Sequence, residues 1–476
     1  MPRGIPREAN SFLRGVKQVV IRILNVYFSR RIVLLGASEM ILVTTAFVAA
    51  TVLWRGSVHT EIVLNYEQGA LKLALITAVF FVCMSYFDLY DTQVLISRYE
   101  VATRLVQVLG SLCIVLAVVY VFFPQFEFAP LIVLTGSVTT GVSLLLWRNA
   151  FYWLIQHPRF REHVYVLGWG ENARFLVAQL RSRANMGIDV MNWQDAMGPP
   201  LTREQLAERI SELKDKTVHR VIVAIGDRRG IIPIPELLNL RFRGVKIEDA
   251  TALLEKQSGK IEIDVLSPSW LIFSDGFRMS QLYVLARGIV SGLISLILLL
   301  LMLPLIPFIA LAIRLNSRGP VLYRQARVGL SGRVFYCYKF RTMRADAEAD
   351  TGPTWAGDAD PRITSVGRFL RESRLDEIPQ LWNVLRGDMV FVGPRPERPE
   401  FVEWLSKDIP YYQLRHVVRP GITGWAQVRY HYGNSLEDAK EKLKYDLFYI
   451  KRISVSLDLL IMFKTIRVVI LGRGAK

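Results

Sequence analysis

Three cysteines in 476 residues are too few for a disulfide framework, and their spacing offers no metal knuckle. Cys83 and Cys113 fall in apolar runs, and Cys337 stands alone in a basic, strand-like stretch. No CxxC or HExxH pattern occurs and the six histidines form no cluster, which removes the usual zinc signatures. Acidic residues are also in deficit, 42 against 59 lysines and arginines, for a net charge of +17. The polar majority of a soluble enzyme is missing too: 51% of residues are hydrophobic and the mean hydropathy is positive. A nucleic-acid protein is usually basic without being this apolar, so no nucleic acid is expected among the partners. A chain both greasy and basic reads as an integral membrane protein facing anionic lipid or anionic substrates. The first thirty residues are basic and interrupted, unlike a cleavable signal peptide. Internal repeats and long low-complexity tracts are absent.

What is present falls into five segments. A basic stretch, 1–31, precedes four apolar runs near 32–54, 70–90, 105–123 and 130–154. Each approaches the roughly 20 residues that cross a hydrocarbon core as a helix, so 32–158 is expected to be a four-helix transmembrane bundle. Arg14, Lys17, Arg22, Arg30 and Arg31 precede the first run, Arg98 and Arg104 separate the second and third, and Arg148, Arg159 and Arg161 end the fourth. The connection from Pro124 to Pro130 has no basic residue, and the other outer loop has only Arg55 and Lys72 near it. That asymmetry puts both ends of the bundle in the cytoplasm.

Residues 159–270 change character. Strand signals at His163–Leu167, Ile188–Trp193, Arg220–Ile225 and Val245–Ile247 alternate with helical patterns, one from about Glu171 to Arg183. The alternation predicts a Rossmann-like α/β domain with a doubly wound parallel sheet. Gly168-Trp-Gly170, with Ala173 in the third small-residue position, resembles a dinucleotide fingerprint, and Asp189 or Asp195 would be the ribose acid. NAD or another nucleotide is therefore a candidate ligand there; a sheet of this kind that binds nothing fits the same pattern.

The fifth apolar run, Gly288 to Ile313, has basic residues on both sides: Arg278 and Arg287 before it, Arg314, Arg318, Arg324 and Arg327 after it. Pro304 and Pro307 interrupt it, where proline removes helical hydrogen bonds. A helix that breaks at these prolines and returns to the same face reconciles the flanking charge, so 280–315 is expected to be re-entrant. Residues 316–476 then form a basic, α-rich cytosolic domain. Leu443–Ile450 and Leu457–Leu471 mix apolar and basic residues and read as membrane-surface helices, or as ordinary half-buried ones. The polar stretch Ala345–Asp360 reads as a loop.

Candidate chemistry concentrates between residues 338 and 396. Asp376 and Glu377 are adjacent among arginines; on a helix they would point about 100° apart and take different roles. An ionised aspartate can attack phosphorus, while a neighbouring carboxylate can hold a divalent cation. Arg371 and Arg374 would keep both acids charged. Taken alone, the pair would more often be a solvated helix face. Arg395 lies between two prolines in Gly393-Pro-Arg-Pro396, a rigid setting suited to bidentate phosphate recognition or simply to a tight corner. Tyr338-Lys-Phe-Arg-Thr-Met-Arg344 interleaves cations, Lys339 and Arg341 among them, with aromatics; it reads equally as a phosphate platform or a strand. Arg362, in Asp360-Pro-Arg-Ile-Thr364, adds a further cation. Asp446 and Asp458 read as acids for metal or hydrogen-bond work, or as partners of Lys442 and Arg452.

These stretches together resemble the bacterial sugar transferase family, the polyprenyl-phosphate hexose-1-phosphate transferases. The matching segments are Gly319–Gly329, Lys339-Phe-Arg-Thr-Met343, Asp360–Thr364, Leu375-Asp-Glu-Ile-Pro-Gln380, Asn383–Met389, Val392-Gly-Pro-Arg-Pro396 and Pro420-Gly-Ile-Thr-Gly-Trp-Ala-Gln427. The front half looks like the long form of the family, the undecaprenyl-phosphate glucose or galactose phosphotransferases. The resemblance implies transfer of a sugar-1-phosphate from a UDP-sugar to undecaprenyl phosphate at the inner membrane, releasing UMP and starting exopolysaccharide, O-antigen or capsule synthesis. It implies Asp376 as nucleophile through a phosphosugar-aspartate intermediate, and Asp376 and Glu377 beside Mg²⁺. Arg395 would be on phosphate, Lys339 and Arg371 on the diphosphate or second phosphate, and Asp446 would complete the site. It also suggests a homodimer. The chain departs from the family's usual Ser-Pro at the helix break, having Leu303-Pro304.

Two rival readings compete with this one. A membrane-bound nucleotide-sugar dehydratase or epimerase needs a Tyr-x-x-x-Lys pair, and no tyrosine here has a lysine four residues on. A non-catalytic polysaccharide assembly platform would tolerate Asp376→Asn.

Overall fold

The computed structural model describes residues 20–23, 26–66, 68–90, 98–158, 160–181, 187–213, 217–225, 230–263, 276–277, 280–347, 360–430, 433 and 435–470. Most of the basic N-terminal stretch, the side chain of Asp195 and most of the Ala345–Asp360 loop lie outside the described residues. The chain divides into two compact units, one running to Ala252 and the other taking Leu253 onward.

The first unit opens with four long apolar helices, α1 Arg30–Tyr66, α2 Gly69–Tyr86, α3 Arg98–Phe122 and α4 Pro130–Gln156. Each contains a stretch long and apolar enough to cross a membrane. Val43, Phe47, Ile76, Leu105, Leu112 and Leu144 pack together between them, while residues such as Leu53, Val106 and Leu146 face outward. Buried in this packing, Arg148 donates to Glu39 at 2.6 Å and to the carbonyl of Leu89. A charge so placed must be paired, because unpaired it would be far too costly to desolvate.

The same unit continues into β1 Glu162–Leu167, α5 Glu171–Arg181, β2 Ile188–Met191, α6 Arg203–Glu212, β3 Arg220–Val223, α7 Ile234–Phe242 and β4 Lys246–Asp249. The four strands form one parallel sheet in the order β2-β1-β3-β4. Strands and helices thus follow the alternation expected from the sequence. Tyr165, Leu167, Val221 and Val223 pack against Leu206, Ile210, Leu237 and Leu240 of the helices. Arg220 is buried between Glu162, at 2.7 Å, and Glu248, at 3.2 Å.

The domain boundary differs from the expected residue 270. The segment after Ala252, which includes most of helix α8 Ala250–Ser258, belongs to the second unit, because its charges and apolar residues are satisfied there. Glu255 pairs with Lys451 and Arg452, Lys260 pairs with Glu441, and Ile261 and Ile263 join the core around Leu443 and Leu447.

In the second unit, α9 Gln281–Met302 is a fifth helix of membrane-crossing length. It stops at a turn over Leu303–Leu305, and α10 Ile306–Asn316 follows. Pro304 sits in the turn itself. Pro307 sits in the first turn of α10, where its missing N–H costs nothing, so the break falls at Pro304 and Pro307 starts the helix that follows. Met302 and Ile306, from either side of the break, pack in one cluster with Phe340, Leu370, Ile378 and Leu381. The rest of the unit comprises the hairpin β5 Leu322–Val328 and β6 Val334–Phe340, α11 Ser365–Glu372, α12 Gln380–Arg386 and β7 Val390–Val392. Then come α13 Pro399–Asp408, β8 Gly421–Thr423, α14 Trp425–Arg429, α15 Leu436–Arg452 and α16 Val455–Ile470. Among the described residues five helices are long and apolar enough to cross a membrane, which marks a membrane protein.

The expected surface helix over Leu443–Ile450 is instead interior: Leu443, Leu447, Tyr449 and Ile450 are buried by other parts of the same unit. α16 buries Leu457 and Ile461 but leaves Val455, Leu459 and Ile466 exposed.

Candidate active site

Asp376 and Glu377 occupy a three-residue 3-10 turn, Leu375–Glu377. Arg374, just before it, adopts a left-handed backbone with φ of 58°, a conformation a non-glycine residue holds only under constraint from its surroundings. Pro379 then caps α12. α11 is drawn close by Gly367, where a Cβ would lie 2.0 Å from the Thr342 carbonyl. Arg371 on that helix donates through Nε to Thr342 Oγ1 at 3.0 Å.

The two carboxylates do not diverge to separate neighbours. Both face Lys339 on β6, whose Nζ is 3.1 Å from Glu377 Oε1 and 3.9 Å from Asp376 Oδ2. Glu377 also accepts from Arg395 Nη2 at 2.8 Å and lies 3.8 Å from Arg374. Burial alone would push Glu377 up, but Arg395, Lys339 and Arg374 outweigh it and hold the carboxyl far below its ordinary range. Asp376 goes the other way: burial raises it, Glu377 adds to the rise, and the more distant cations only partly offset this. The expectation that the arginines keep both acids charged therefore holds for Glu377 and is reversed in direction for Asp376.

β6 and α12 are locked together by Asn383, which is fully buried. Its amide donates to the Tyr336 carbonyl at 2.7 Å and accepts from the Tyr338 N–H at 3.0 Å. That bond sets Lys339 against Asp376.

Arg395 is held by more than its flanking prolines. β7 and β8 run parallel with Gly421 packed so tightly on Gly393 that a Cβ would lie 2.1 Å from the Gly393 nitrogen. The Pro394 carbonyl accepts from the Gly421 N–H, the Arg395 carbonyl from Arg415 and the Pro396 carbonyl from Arg327, each at 2.9 Å. Arg415 and Asp446 form a buried pair at 2.9 Å, and Arg415 also donates to the Tyr412 hydroxyl. Burial pushes Asp446 up to about 6 against the pull of Arg415.

These groups line one pocket of about 550 Å³. Among the described residues ten basic and four acidic side chains border it, so it suits a polyanion. Tyr323, Phe401 and Tyr430 add aromatic wall. Of the residues singled out from sequence, Lys339, Arg341, Arg371, Asp376, Glu377, Arg395 and Asp446 border it. Arg341 is mostly committed elsewhere: its buried guanidinium donates to the Ser317 and Arg318 carbonyls, anchoring the chain that leaves α10. Arg362 is outside the lining, gripped by Asp360 at 2.6 Å and bonded to the Ala347 carbonyl. Asp446 pairs with Arg415, with Lys442 adding a weaker pull, and Asp458 pairs with Arg287. Arg415, Arg327 and Asn383 also work in the site; Asn383 and Arg327 lie within the family-like segments Asn383–Met389 and Gly319–Gly329, but nothing in their spacing signals their partners.

Gly168 and Gly170 are not among the residues lining this pocket. A Cβ on Gly168 would meet the Ala224 carbonyl at 2.6 Å, so this glycine lets β1 and β3 approach. Asp189 pairs with His163 at the beginning of β2, not at the carboxyl end where a ribose acid is needed.

The bacterial sugar transferase family model matches residues 283–472. A UDP-glucose:undecaprenyl-phosphate glucose-1-phosphate transferase of Escherichia coli is 32% identical over 341 residues, 69% of this chain and 72% of that protein. The chain belongs to the bacterial sugar transferase family. A UDP-N-acetylgalactosamine-undecaprenyl-phosphate N-acetylgalactosaminephosphotransferase of Aeromonas hydrophila is 42% identical over 222 residues, 47% of this chain and 52% of that protein. A UDP-glucose:undecaprenyl-phosphate glucose-1-phosphate transferase of Xanthomonas campestris is 42% identical over 192 residues, 40% of each. The chain thus spans about half the length of these last two curated relatives.

Proposed function

We propose that this transferase moves a hexose-1-phosphate from a UDP-sugar to undecaprenyl phosphate, releasing UMP, at the cytosolic face of the bacterial inner membrane. The observation that carries the reading is the Asp376–Glu377 pair facing Lys339 and Arg395 in a basic pocket. Asp376 Oδ attacks the β-phosphorus and the bond to the UMP oxygen breaks, leaving the sugar phosphate on the carboxylate. A phosphate oxygen of the lipid then attacks the same phosphorus, the bond to Asp376 breaks, and the carboxylate is regenerated. Using one site in turn spares the pocket from holding two large anions at once.

Glu377, kept ionised, fixes Lys339 and Arg395 where charge builds on the phosphoryl oxygens. Burial of Asp376 makes the carboxylate less solvated and a better nucleophile once ionised. Among the described residues no group of three or more His, Cys, Asp or Glu side chains forms a metal cage. The carboxylates of Asp376 and Glu377 fit a hard divalent cation such as Mg²⁺. Asp376 and Glu377 would hold it, and it would supply neutralisation of the diphosphate charge.

We read α9 and α10 as a re-entrant helix pair. The supporting observations are that α10 is too short to cross and that both ends of the pair bond to the catalytic domain, Arg287 to Val392 and Asn316 to Ser365. We also read the parallel-sheet unit as Rossmann-like, and the assembly as a homodimer on the family resemblance alone; light scattering of the detergent-extracted protein tests the latter. The donor is read as UDP-glucose or UDP-galactose. The test is UMP release with undecaprenyl phosphate and Mg²⁺ from UDP-glucose, UDP-galactose and UDP-N-acetylgalactosamine in parallel; no UMP from any of them refutes the reaction.

A further inference from the structure

Helix α9 is oily on nearly every side except one. Leu285, Ile289, Leu293, Leu296 and Leu300 are exposed, as suits lipid. Tyr283, Arg287, Ser291 and Ser295 recur every four residues and so share one face. That face is turned into protein: Ser291 and Ser295 are buried, and Arg287 keeps only 9% of its side chain exposed. Packing a membrane helix needs no arginine, and a guanidinium in this setting is costly unless its charge and donors are all used.

Here the charge is answered by Asp458 on α16, and Nη2 reaches the strand leading to Arg395. Arg287 Nε lies 3.2 Å from Asp458 Oδ2, and its Nη2 donates to the Val392 carbonyl and the Tyr449 hydroxyl. The Tyr449 hydroxyl is 2.7 Å from Asp458 Oδ1, and the Tyr283 hydroxyl is 3.1 Å from Oδ2, so Asp458 is encircled by donors. One turn further along α9, Ser291 Oγ accepts from the Phe391 N–H at 3.2 Å. Val392 precedes Gly393-Pro394-Arg395-Pro396, whose last three carbonyls are held from within the catalytic domain by Gly421, Arg415 and Arg327. The strand is also paired with β8, the Val390 N–H donating to the Pro420 carbonyl and the Gly393 N–H to the Thr423 carbonyl. The Tyr449 hydroxyl donates to the Val392 carbonyl at 3.3 Å, and Arg287 and Ser291 add anchors from the membrane helix.

We propose that Arg287 and Asp458 are positioning residues that tie the seating of α9 to the placement of Arg395. The functional half of this proposal rests on the phosphotransfer reading above. Displacing a phosphate-binding group by about 1 Å costs on the order of 100-fold in rate, so a loosened tie is expected to lower turnover without touching substrate.

The test uses the full chain in lipid nanodiscs. Hydrogen exchange of the peptide spanning 388–398 is followed in Arg287→Gln, Asp458→Asn and Ser291→Ala, with the 365–372 helix as internal control. Faster exchange at 388–398 alone is expected in all three, least in Ser291→Ala, which leaves the charges balanced. Unchanged exchange overturns the tie. If Arg287→Gln or Asp458→Asn speeds exchange everywhere, Ser291→Ala decides. UMP release is then measured in a double-mutant cycle with Arg395→Ala. Arg287→Gln should cost about 100-fold in the parent and little further in Arg395→Ala, with Arg287→Lys partly restoring turnover. Equal losses in both backgrounds would mean that Arg287 acts elsewhere. If the parent releases no UMP from any donor, the reaction is wrong, and the exchange measurement still decides the tie.

Discussion

The two polar regions of this protein use charge in opposite ways. In the parallel-sheet unit Arg220 is closed between Glu162 and Glu248, and Lys246 answers Glu248 again. There positive and negative groups settle one another, and the chemistry is spent on holding strands. In the second unit, among the described residues, ten basic side chains meet four acidic ones around one pocket, a net positive lining that suits an anion. A glycine motif tells the same story. Gly168 serves strand packing, whereas Gly393 and Gly421 serve the loop that aims Arg395. Balanced charge marks scaffold, and unbalanced charge marks the site.

The sharpest break in that comparison is Asp376→Asn. UMP release is expected to fall at least about 1,000-fold, as when a covalent nucleophile is removed. Stability should move the other way. Folding raises the Asp376 pKa, so its ionised form disfavours the folded state at neutral pH, and removing the charge should raise Tm. A variant that keeps turnover, or loses both turnover and stability, would contradict the assigned role.

Next in size is Arg395→Ala, expected to lower UMP release about 100-fold or more by removing one preorganised donor, with Tm nearly unchanged. Asn383→Leu comes third and acts through structure. It strips the tie between β6 and α12 and should cost about 2 kcal/mol or more in a denaturation series, with a fall in activity following from misplacement of Lys339.

The pH dependence is a subtler probe. Asp446, at about 6, must be charged to grip Arg415 and through it the Arg395 carbonyl. Its grip is present above that pH and lost as pH falls through it, so an acid limb near pH 6 is expected. The limb should be absent from Asp446→Asn, whose plateau is lower. The smallest effect tests the other half of the comparison. Gly168→Ala should destabilise the sheet unit by about 1–3 kcal/mol, since a left-handed backbone and the Ala224 carbonyl both oppose a Cβ, while UMP release stays within about twofold. A large loss of turnover there would mean that the glycine serves more than packing.

Much of this was legible in the sequence because it is local. Apolar runs, β/α alternation, the proline break and the Asp-Glu pair each depend on neighbours a few residues away. What was not legible depends on distance in the chain. Arg415 finds Asp446 thirty-one residues on, and Asn383 reaches back to Tyr336. Helix α15 shows the same limit. Its mixed apolar and basic pattern fits a membrane surface, but the apolar side is covered by Ile261, Tyr412 and their neighbours, which spacing within the helix cannot reveal. Arg341 and Arg362 looked like phosphate ligands because arginine content is visible, whereas the carbonyls and the carboxylate that engage them are not.

The central claim is that Asp376 carries the sugar phosphate between donor and lipid. The direct measurement is peptide mass spectrometry of protein incubated with UDP-sugar and Mg²⁺ but no undecaprenyl phosphate. The account predicts a hexose-phosphate adduct on the peptide containing Asp376, discharged when the lipid phosphate is added and absent from Asp376→Asn. UMP release that strictly requires the lipid, with no adduct on that peptide, would contradict it.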